Sequence, residues 1–262
     1  MKESIFGLGS KVLFLILLTV LSAGAQEPVP TNPNIDEKTM SILNRAADFV
    51  SKSNKMTVTA DIAYEAVQDT GEKIEFGSTN KYTIQRPNQV RVEIERRDGS
   101  RSGYIFDGKN IWAYNLDDNV YATATQPGNI DQSYNYMSDA LQTPIPLSQL
   151  FSSGLPKALT EQVKSGRYVE ESTIAGVRCD QLAIRTDEVD AQLWIAKGDK
   201  PLPKRIIITY KNAAGQPQFR AQFGEWNLSP KISGSLFAFN PPKGAEKIPF
   251  APQVREEMGK SK

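Results

Sequence analysis

Apolar and polar residues alternate with a period of two along most of this chain. Val90, Val92 and Ile94 alternate with charged residues, and the stretch 56–65 follows the same pattern. Successive side chains on a β-strand point to opposite faces, so each such stretch has one apolar face and one polar face. Antiparallel sheets commonly bury one face and leave the other in water. The alternation therefore predicts a large antiparallel sheet.

Turn residues separate the alternating stretches. Asp69-Thr70-Gly71, Asp98-Gly99 and Asp107-Gly108 favour tight turns between strands. The pattern predicts about eleven strands. They lie at 56–65, 73–85, 90–94, 102–106, 110–115, 120–125, 166–170, 177–186, 189–196, 203–211 and 218–227, and a last short one is expected at 236–240. Right-handed twist accumulates over so many strands and bends such a sheet toward a barrel or half-barrel.

Two regions lack the alternation and predict helices instead. Apolar residues at 36–53 recur at helical spacing after the capping residue Asp36. Between 130 and 163, prolines divide the chain into short pieces, of which 130–141 and 147–151 fit a few helical turns. We therefore predict an α+β fold, in which a large curved antiparallel half-barrel has its concave apolar face covered by an N-terminal helix and short helices.

The N-terminus has the features of a secretory signal peptide. Lys2 and Lys11 precede an apolar run, and Ser22-Ala23-Gly24-Ala25 is a small-residue cleavage site. The apolar run is about half of the ~20 residues that a membrane-spanning helix needs. We expect a soluble periplasmic protein, cleaved between Ala25 and Gln26. The predicted parts are a signal peptide at 1–25, an extended leader at 26–35, one domain at 36–250 and a polar tail at 251–262.

Composition argues against several classes of activity. The chain has no histidine, which excludes Ser-His-Asp hydrolysis, Cys-His catalysis and histidine-ligated metal sites. Cys179, the only cysteine, lies in an alternating stretch and is expected to be a small buried apolar residue. Without the signal peptide the formal net charge is zero, which gives no attraction to nucleic acid. We expect no catalytic residue, metal or cofactor, and a monomer.

Several short runs resemble a known superfamily. Arg86-Pro87-Asn88, the strand at 90–94 and the run DGKNIWAYN at 107–115 resemble the central signature of the periplasmic lipoprotein carriers of the LolA/LolB-like superfamily. The run FAFNPPKG at 237–244 is similar to the ending of that superfamily. The runs AGVRCD at 175–180 and WIAKGDKPLP at 194–203 look closer still to a family of predicted periplasmic proteins without assigned function.

The resemblance implies an incomplete barrel whose concave apolar face, covered by helices, holds the acyl chains of a lipoprotein. The residues that would line such a cavity are Val58, Ala60, Ile62, Val90, Val92, Ile94, Leu182, Ile184, Ile206, Ile208, Phe219 and Phe223. The alternative is an ordinary solid core. Burial alone stabilises such side chains by ~1.5–3 kcal/mol each, so their apolarity carries no information about a ligand.

The same resemblance implies a role for Arg86. In the carriers an arginine at this position holds the helical lid shut by donating to lid backbone carbonyls, and a guanidinium offers several donors and keeps its charge. The alternative is an exposed arginine at a hairpin corner. Tyr134 and Met137 would form the apolar face of the lid, or would pack permanently on the sheet. Arg91 is expected to face water.

Two functions stay open at this point. The first is an exported carrier or binding protein for a lipid, an acyl chain or a lipidated polypeptide. The second is an interaction or sensor module that offers the same fold, with a filled core, to another protein of the cell envelope. No catalytic triad, metal cluster or phosphate-binding loop in the sequence supports an enzyme.

Overall fold

The computed structural model describes residues 34–253. The predicted signal peptide, most of the leader and most of the tail lie outside the described residues. The helices are α1 (Glu37–Lys52), α2 (Ile130–Asp139) and α3 (Leu155–Gln162), with 3₁₀ turns at Ser148–Phe151 and Gly234–Phe237. The strands are β1 (Lys55–Val67), β2 (Lys73–Gln85), β3 (Gln89–Arg96), β4 (Arg101–Phe106), β5 (Asn110–Asn115), β6 (Val120–Thr125), β7 (Ser165–Ile174), β8 (Val177–Arg185), β9 (Val189–Ala196), β10 (Pro203–Tyr210), β11 (Gln218–Phe223) and β12 (Glu246–Lys247).

All twelve of these strands form one curled, open sheet in the order β12-β6-β5-β4-β3-β2-β1-β11-β10-β9-β8-β7. Neighbouring strands are antiparallel, except that β12 runs parallel to β6. The predicted α+β half-barrel is confirmed. We call β1–β6 the first half of the sheet and β7–β11 the second half, and β1 pairs with β11 where they meet. The turns at 68–72, 186–188 and 211–217 lie at one end of the sheet, which we call the hairpin end.

The predicted register of the first half is confirmed. Val58, Val90, Val92 and Ile94 are all buried in one core cluster on the concave face. The cluster also takes in Phe151 from the 3₁₀ turn and side chains of α2, β10 and β11. The helical segment 130–151 therefore closes the concave face of the first half.

Helix α1 forms where helical spacing predicts it. The Asp36 side chain accepts a hydrogen bond from the backbone N–H of Lys38, which caps the first turn. Its apolar face packs on the second half of the sheet, where Ile42 and Leu43 share a core cluster with Leu182 and Ile195. No helix within residues 34–253 is long and apolar enough to cross a membrane.

The segment 130–163 contains the two predicted helical pieces and one that was not predicted. Helix α2 and the 3₁₀ turn fall within 130–141 and 147–151. Helix α3 follows, with Pro156 in its first turn. Proline lacks only an N–H that the first turn leaves unpaired anyway, so here it begins a helix rather than breaking one. We call 130–163 the lid segment.

The predicted strand at 236–240 is wrong. Gly234–Phe237 is a 3₁₀ turn, and the chain after it packs against the outer face of β4–β6, where Phe237 forms a cluster with Ile105 and Tyr114. Phe239 stacks on Tyr114 with ring centroids 5.6 Å apart. Apolar alternation at 236–240 therefore reflects contacts with the sheet surface, not pairing within the sheet.

This C-terminal segment also corrects the expectation that Arg91 faces water. The Arg91 guanidinium donates to the backbone carbonyl of Leu236 at 3.1 Å and to the Glu93 carboxylate at 3.2 Å. Its side chain is partly buried between the sheet and the C-terminal segment. The outer face of the first half is thus partly covered, because its outward aromatic residues need apolar contacts of their own.

Candidate functional site

An apolar cavity lies between the helices and the second half of the sheet. Its volume is about 380 Å³, toward the lower end of the about 300–1,000 Å³ typical of small-molecule sites. One wall comes from α1, α3 and the 3₁₀ turn, and the other from β8, β9 and β10. The apolar lining residues are Leu43, Ala46, Ala47, Val50, Leu147, Leu150, Leu155, Ala158, Leu159, Ile184, Val189, Ala191, Leu193, Ile195, Pro203, Ile206 and Ile208.

Small side chains account for the empty space. Ala46 and Ala47 face the cavity from α1, Ala158 faces it from α3, and Ala191 lies on the strand opposite. Over the first half, by contrast, large fully buried side chains fill the space between the sheet and the lid segment. Tyr82 and Phe106 come from the strands, and Phe151 comes from the 3₁₀ turn. Interiors of folded proteins are close-packed, so an apolar void of this size is a feature that needs an explanation.

Polar side chains meet the cavity mainly at the hairpin end. They are Gln162 at the end of α3 and Thr186, Asp187 and Glu188 in the turn between β8 and β9. Asp187 and Glu188 are exposed, and Lys164 Nζ lies 3.5 Å from the Asp187 carboxylate. The cavity is therefore apolar inside, and its polar rim carries charges of both signs.

A second concavity, of about 730 Å³, lies on the outer face of the first half beside residues 235–242. Lys81, Glu95 and Arg101 are among the residues that line it, and Arg91 and Glu93 pair with each other there. A wide groove with charges of both signs is typical of a solvated sheet surface. The apolar cavity is therefore our candidate site.

The structure distributes the twelve predicted cavity residues over both halves. Ile184, Ile206 and Ile208 line the cavity, and Leu182 is buried in the core cluster beside it. The other eight are buried in the large core cluster. Six of them lie on strands of the first half, and Phe219 and Phe223 lie on the adjoining strand β11. The eight residues are Val58, Ala60, Ile62, Val90, Val92, Ile94, Phe219 and Phe223. Contact with a ligand remains a prediction for all twelve.

The helical wall was missed as part of the site, although its pattern is in the sequence. Leu43, Ala46, Ala47 and Val50 follow the 3.6-residue period of α1. Leu155, Ala158 and Leu159 stand at i, i+3 and i+4, which is the spacing of one apolar helix face. These residues carried a signal for a helix, and their assignment to a cavity required the tertiary structure.

Arg86 joins the lid segment to the end of α1. Its Nη2 donates to the backbone carbonyl of Phe151 at 2.7 Å, and its Nε donates to the carbonyl of Ser53 at 3.2 Å. Burial lowers the pKa of the guanidinium, and the nearby Asp131 and Tyr134 act in the opposite direction. The contact with a carbonyl in the lid segment is the geometry that the resemblance predicted; whether it controls opening remains a prediction.

Tyr82 is a second contact point that sequence reasoning missed. Its hydroxyl donates to the backbone carbonyl of Pro146 at 3.0 Å and accepts from the Asn80 amide at 3.1 Å. Ser78 donates in turn to Asn80, so three side chains of β2 form a buried polar chain. Tyr82 lies on β2 and Arg86 directly follows its last residue, and their side chains hold the two ends of the 3₁₀ turn.

Tyr134 and Met137 lie on the buried face of α2 and belong to the large core cluster. Burial raises the pKa of the Tyr134 hydroxyl, which has no hydrogen-bond partner among the described residues. At the start of α2, Asn129 and Gln132 form a reciprocal capping box. Helix α2 is therefore firmly packed and well capped.

Helix α3 differs from α2 in each of these respects. None of its side chains is fully buried, and Gly154 provides no side-chain cap. The residues just before it are held, because the Asp131 carboxylate accepts from the backbone N–H and the hydroxyl of Ser153. The lid segment thus consists of a fixed part up to Ser153 and a loosely packed helix that walls the cavity.

A comparison with models of protein families assigns this chain to a family. A family model described as "Predicted periplasmic protein (DUF2092)" matches residues 39–251, which include every strand and helix described above except the first two residues of α1. The chain belongs to this family. The resemblance to predicted periplasmic proteins is confirmed, and the family carries no assigned function. Among curated proteins, none matches the chain.

Solved structures from several bacteria are similar to this chain. The lipoprotein LppX of Mycobacterium tuberculosis is 13% identical with a TM-score of 0.48, covering 76% of this chain and 100% of its own. A LolA superfamily protein from Nitrosomonas europaea is 13% identical with a TM-score of 0.36, covering 77% and 97%. In the Pseudomonas aeruginosa MucA/MucB complex the match is 19% identical with a TM-score of 0.42, covering 77% and 60%.

Proposed function

We propose that this protein binds an acyl chain, as part of a lipid or a lipidated polypeptide, in the cavity between α1, α3 and the second half of the sheet. It acts as a carrier or binding protein of the periplasm, released from its signal peptide between Ala25 and Gln26. The observation that supports this most directly is an apolar cavity of about 380 Å³ with polar side chains at one rim. An apolar tail with a polar head has the matching distribution of polarity.

Energetics favour such a ligand. Each methylene moved from water into an apolar site contributes roughly 0.8 kcal/mol. An acyl chain therefore binds through the burial of its methylene groups alone, without specific polar contacts along the cavity. The loosely packed α3 supplies a route of entry, since its displacement uncovers the cavity without disturbing the core of the first half. Arg86 and Tyr82 keep the neighbouring 3₁₀ turn in place meanwhile.

Lipid extraction and native mass spectrometry of the purified protein test the proposal. We expect co-purifying acyl species, or uptake of an added single-chain amphiphile by the delipidated protein. Ala191→Phe places a ring in the cavity and should abolish uptake. Ala183→Phe is the matched control. Ala183 lies on the neighbouring strand β8 and points to the opposite face of the sheet from Ala191, so this variant should leave uptake unchanged. Equal uptake by both variants would place the ligand elsewhere.

The second candidate is an envelope interaction or sensor module. It is favoured by one observation: the concave face of the first half is filled by its own side chains. Under this alternative the cavity stays empty. A wild-type protein that carries no acyl species and takes up none, yet binds an envelope protein, would support it over carriage.

A further inference from the structure

The lining of the cavity continues across the sheet as a row of apolar side chains. Ala191 is opposite Ile208, and Ile208 is opposite Phe219. Phe219 is opposite Tyr64, and Tyr64 is opposite Phe76. Residues directly opposite each other on antiparallel strands point to the same face and lie about 5 Å apart. The five residues therefore form one row on the concave face at the hairpin end, which we call the apolar row.

Beyond Phe219 the residues of the apolar row become more exposed with distance from the cavity. Phe219 is 3% exposed, Tyr64 is half-buried and Phe76 is 46% exposed. The Tyr64 and Phe76 rings stack with centroids 5.9 Å apart. Ile74, two residues before Phe76 and on the same face of β2, is 40% exposed. The hairpin β1–β2 thus presents an apolar surface that is continuous with the cavity lining.

Single exposed apolar residues are common on protein surfaces and need no explanation. Ile74 and Phe76 differ from such residues in two ways. They occupy successive positions on one face of a strand, and the register connects them to Ile208, which lines the cavity. Val169, an equally exposed residue on β7, lies outside the cavity lining and the apolar row.

We propose that the apolar row is a second, open segment of the ligand site. It takes one acyl chain of a two-chain amphiphile whose other chain fills the cavity, and this inference rests on the proposed function. Three strand spacings, about 14 Å, separate Ile208 from Phe76 across the sheet. The rim at 186–188 lies at the same end of the sheet, where a polar head group joins the two chains. The cavity alone, at about 380 Å³, is small for a whole two-chain lipid.

The test compares one-chain and two-chain probes with the same head group. Lysophosphatidylcholine and a short-chain diacyl phosphatidylcholine are titrated into delipidated protein below the concentration at which they form micelles. The double variant I74S/F76S should lower the affinity for the diacyl probe by about tenfold, from the apolar contact area that it removes. Its affinity for the one-chain probe should stay within about twofold of wild type.

Two further variants interpret the result. Val169→Ser removes an equally exposed apolar side chain and should change neither affinity. Phe76→Leu keeps an apolar contact and should retain most of the diacyl affinity. Equal losses for both probes, or no loss for either, would overturn the second segment while leaving the cavity in place. Failure of the wild-type protein to bind either probe would instead refute the proposed function itself.

Discussion

The two halves of the sheet share one pattern of alternation but differ in what covers them. The concave face of the first half is filled by Tyr82, Phe106 and Phe151, beneath a well-capped α2. The second half lies beneath α1 and α3, where small alanine side chains leave room for a cavity of about 380 Å³. A stable core and a ligand site can therefore share one sheet, because the first half provides stability that the second half does not need to provide.

The difference also shows where the lid segment is held. Its contacts to Tyr82, Arg86 and Asp131 all lie at or before Ser153. Helix α3 follows these contacts and has no fully buried side chain. We expect motion in the lid segment to be concentrated in α3, because regions with few buried apolar contacts open at the lowest free energy.

The largest expected effect on the free energy of unfolding comes from replacing a buried isoleucine by alanine, and one isoleucine from each half is compared. Ile84→Ala, at a fully buried position of the first half, should lower the free energy of unfolding by about 3–5 kcal/mol, since it removes contacts and leaves a void. Ile208→Ala removes a half-buried side chain beside an existing cavity and should cost less than about 1.5 kcal/mol. Chemical denaturation measures both. Similar losses would mean that the second half is as tightly packed as the first.

Arg86 gives the next largest effect. Arg86→Leu removes two hydrogen bonds from a charged donor, each worth about 1.5–3 kcal/mol, and the loss of the buried charge offsets part of this. We expect a net loss of about 2–3 kcal/mol. Amide exchange should speed up in 130–163, with stronger binding of an environment-sensitive apolar dye and nearly unchanged exchange in the strands.

The control for Arg86 is Arg45→Leu, at an exposed position of α1. Arg91 is unsuitable, because its guanidinium binds the C-terminal segment. If amide exchange and dye binding are unchanged in Arg86→Leu, Arg86 is only a hairpin-corner residue and does not hold the lid segment closed.

Removing the hydroxyl of either of two buried tyrosines should have a smaller effect on stability. The two variants compare a hydroxyl that forms hydrogen bonds with one that forms none among the described residues. Tyr82→Phe loses the bond to Pro146 and leaves the Asn80 amide with one partner fewer, which should cost about 1–2 kcal/mol and speed exchange in 143–150. Tyr134→Phe removes a buried hydroxyl without a described partner and should be neutral or stabilising. A larger loss for Tyr134→Phe would contradict this picture of the lid contacts.

The alternation was sufficient to predict the sheet, because the position of each apolar residue decides which face it takes. The resemblance at Arg86 implied a contact with lid carbonyls but left an exposed hairpin corner open as the alternative; the bond to the Phe151 carbonyl required the tertiary structure. Helix α3 was missed because Pro156 was taken to interrupt a helix that it in fact begins. The position of the cavity could not be predicted, since Ile94 and Ile208 follow the same pattern and only the elements packed above them differ.

The smallest expected effect concerns helix stability alone. Glycine in a helix interior costs about 1 kcal/mol relative to alanine. In α1, Ala47→Gly lies in a helix packed on the sheet, so the loss should appear in the global free energy of unfolding. In α3, Ala158→Gly should leave that free energy unchanged and raise amide exchange in 155–162 by about fivefold, because α3 opens independently of the core. Addition of a bound amphiphile should slow this exchange in both wild type and variant, because the ligand binds the closed state. A global loss of stability in Ala158→Gly would show that α3 unfolds only together with the sheet, and the distinction between a fixed and a movable part of the lid segment would be wrong.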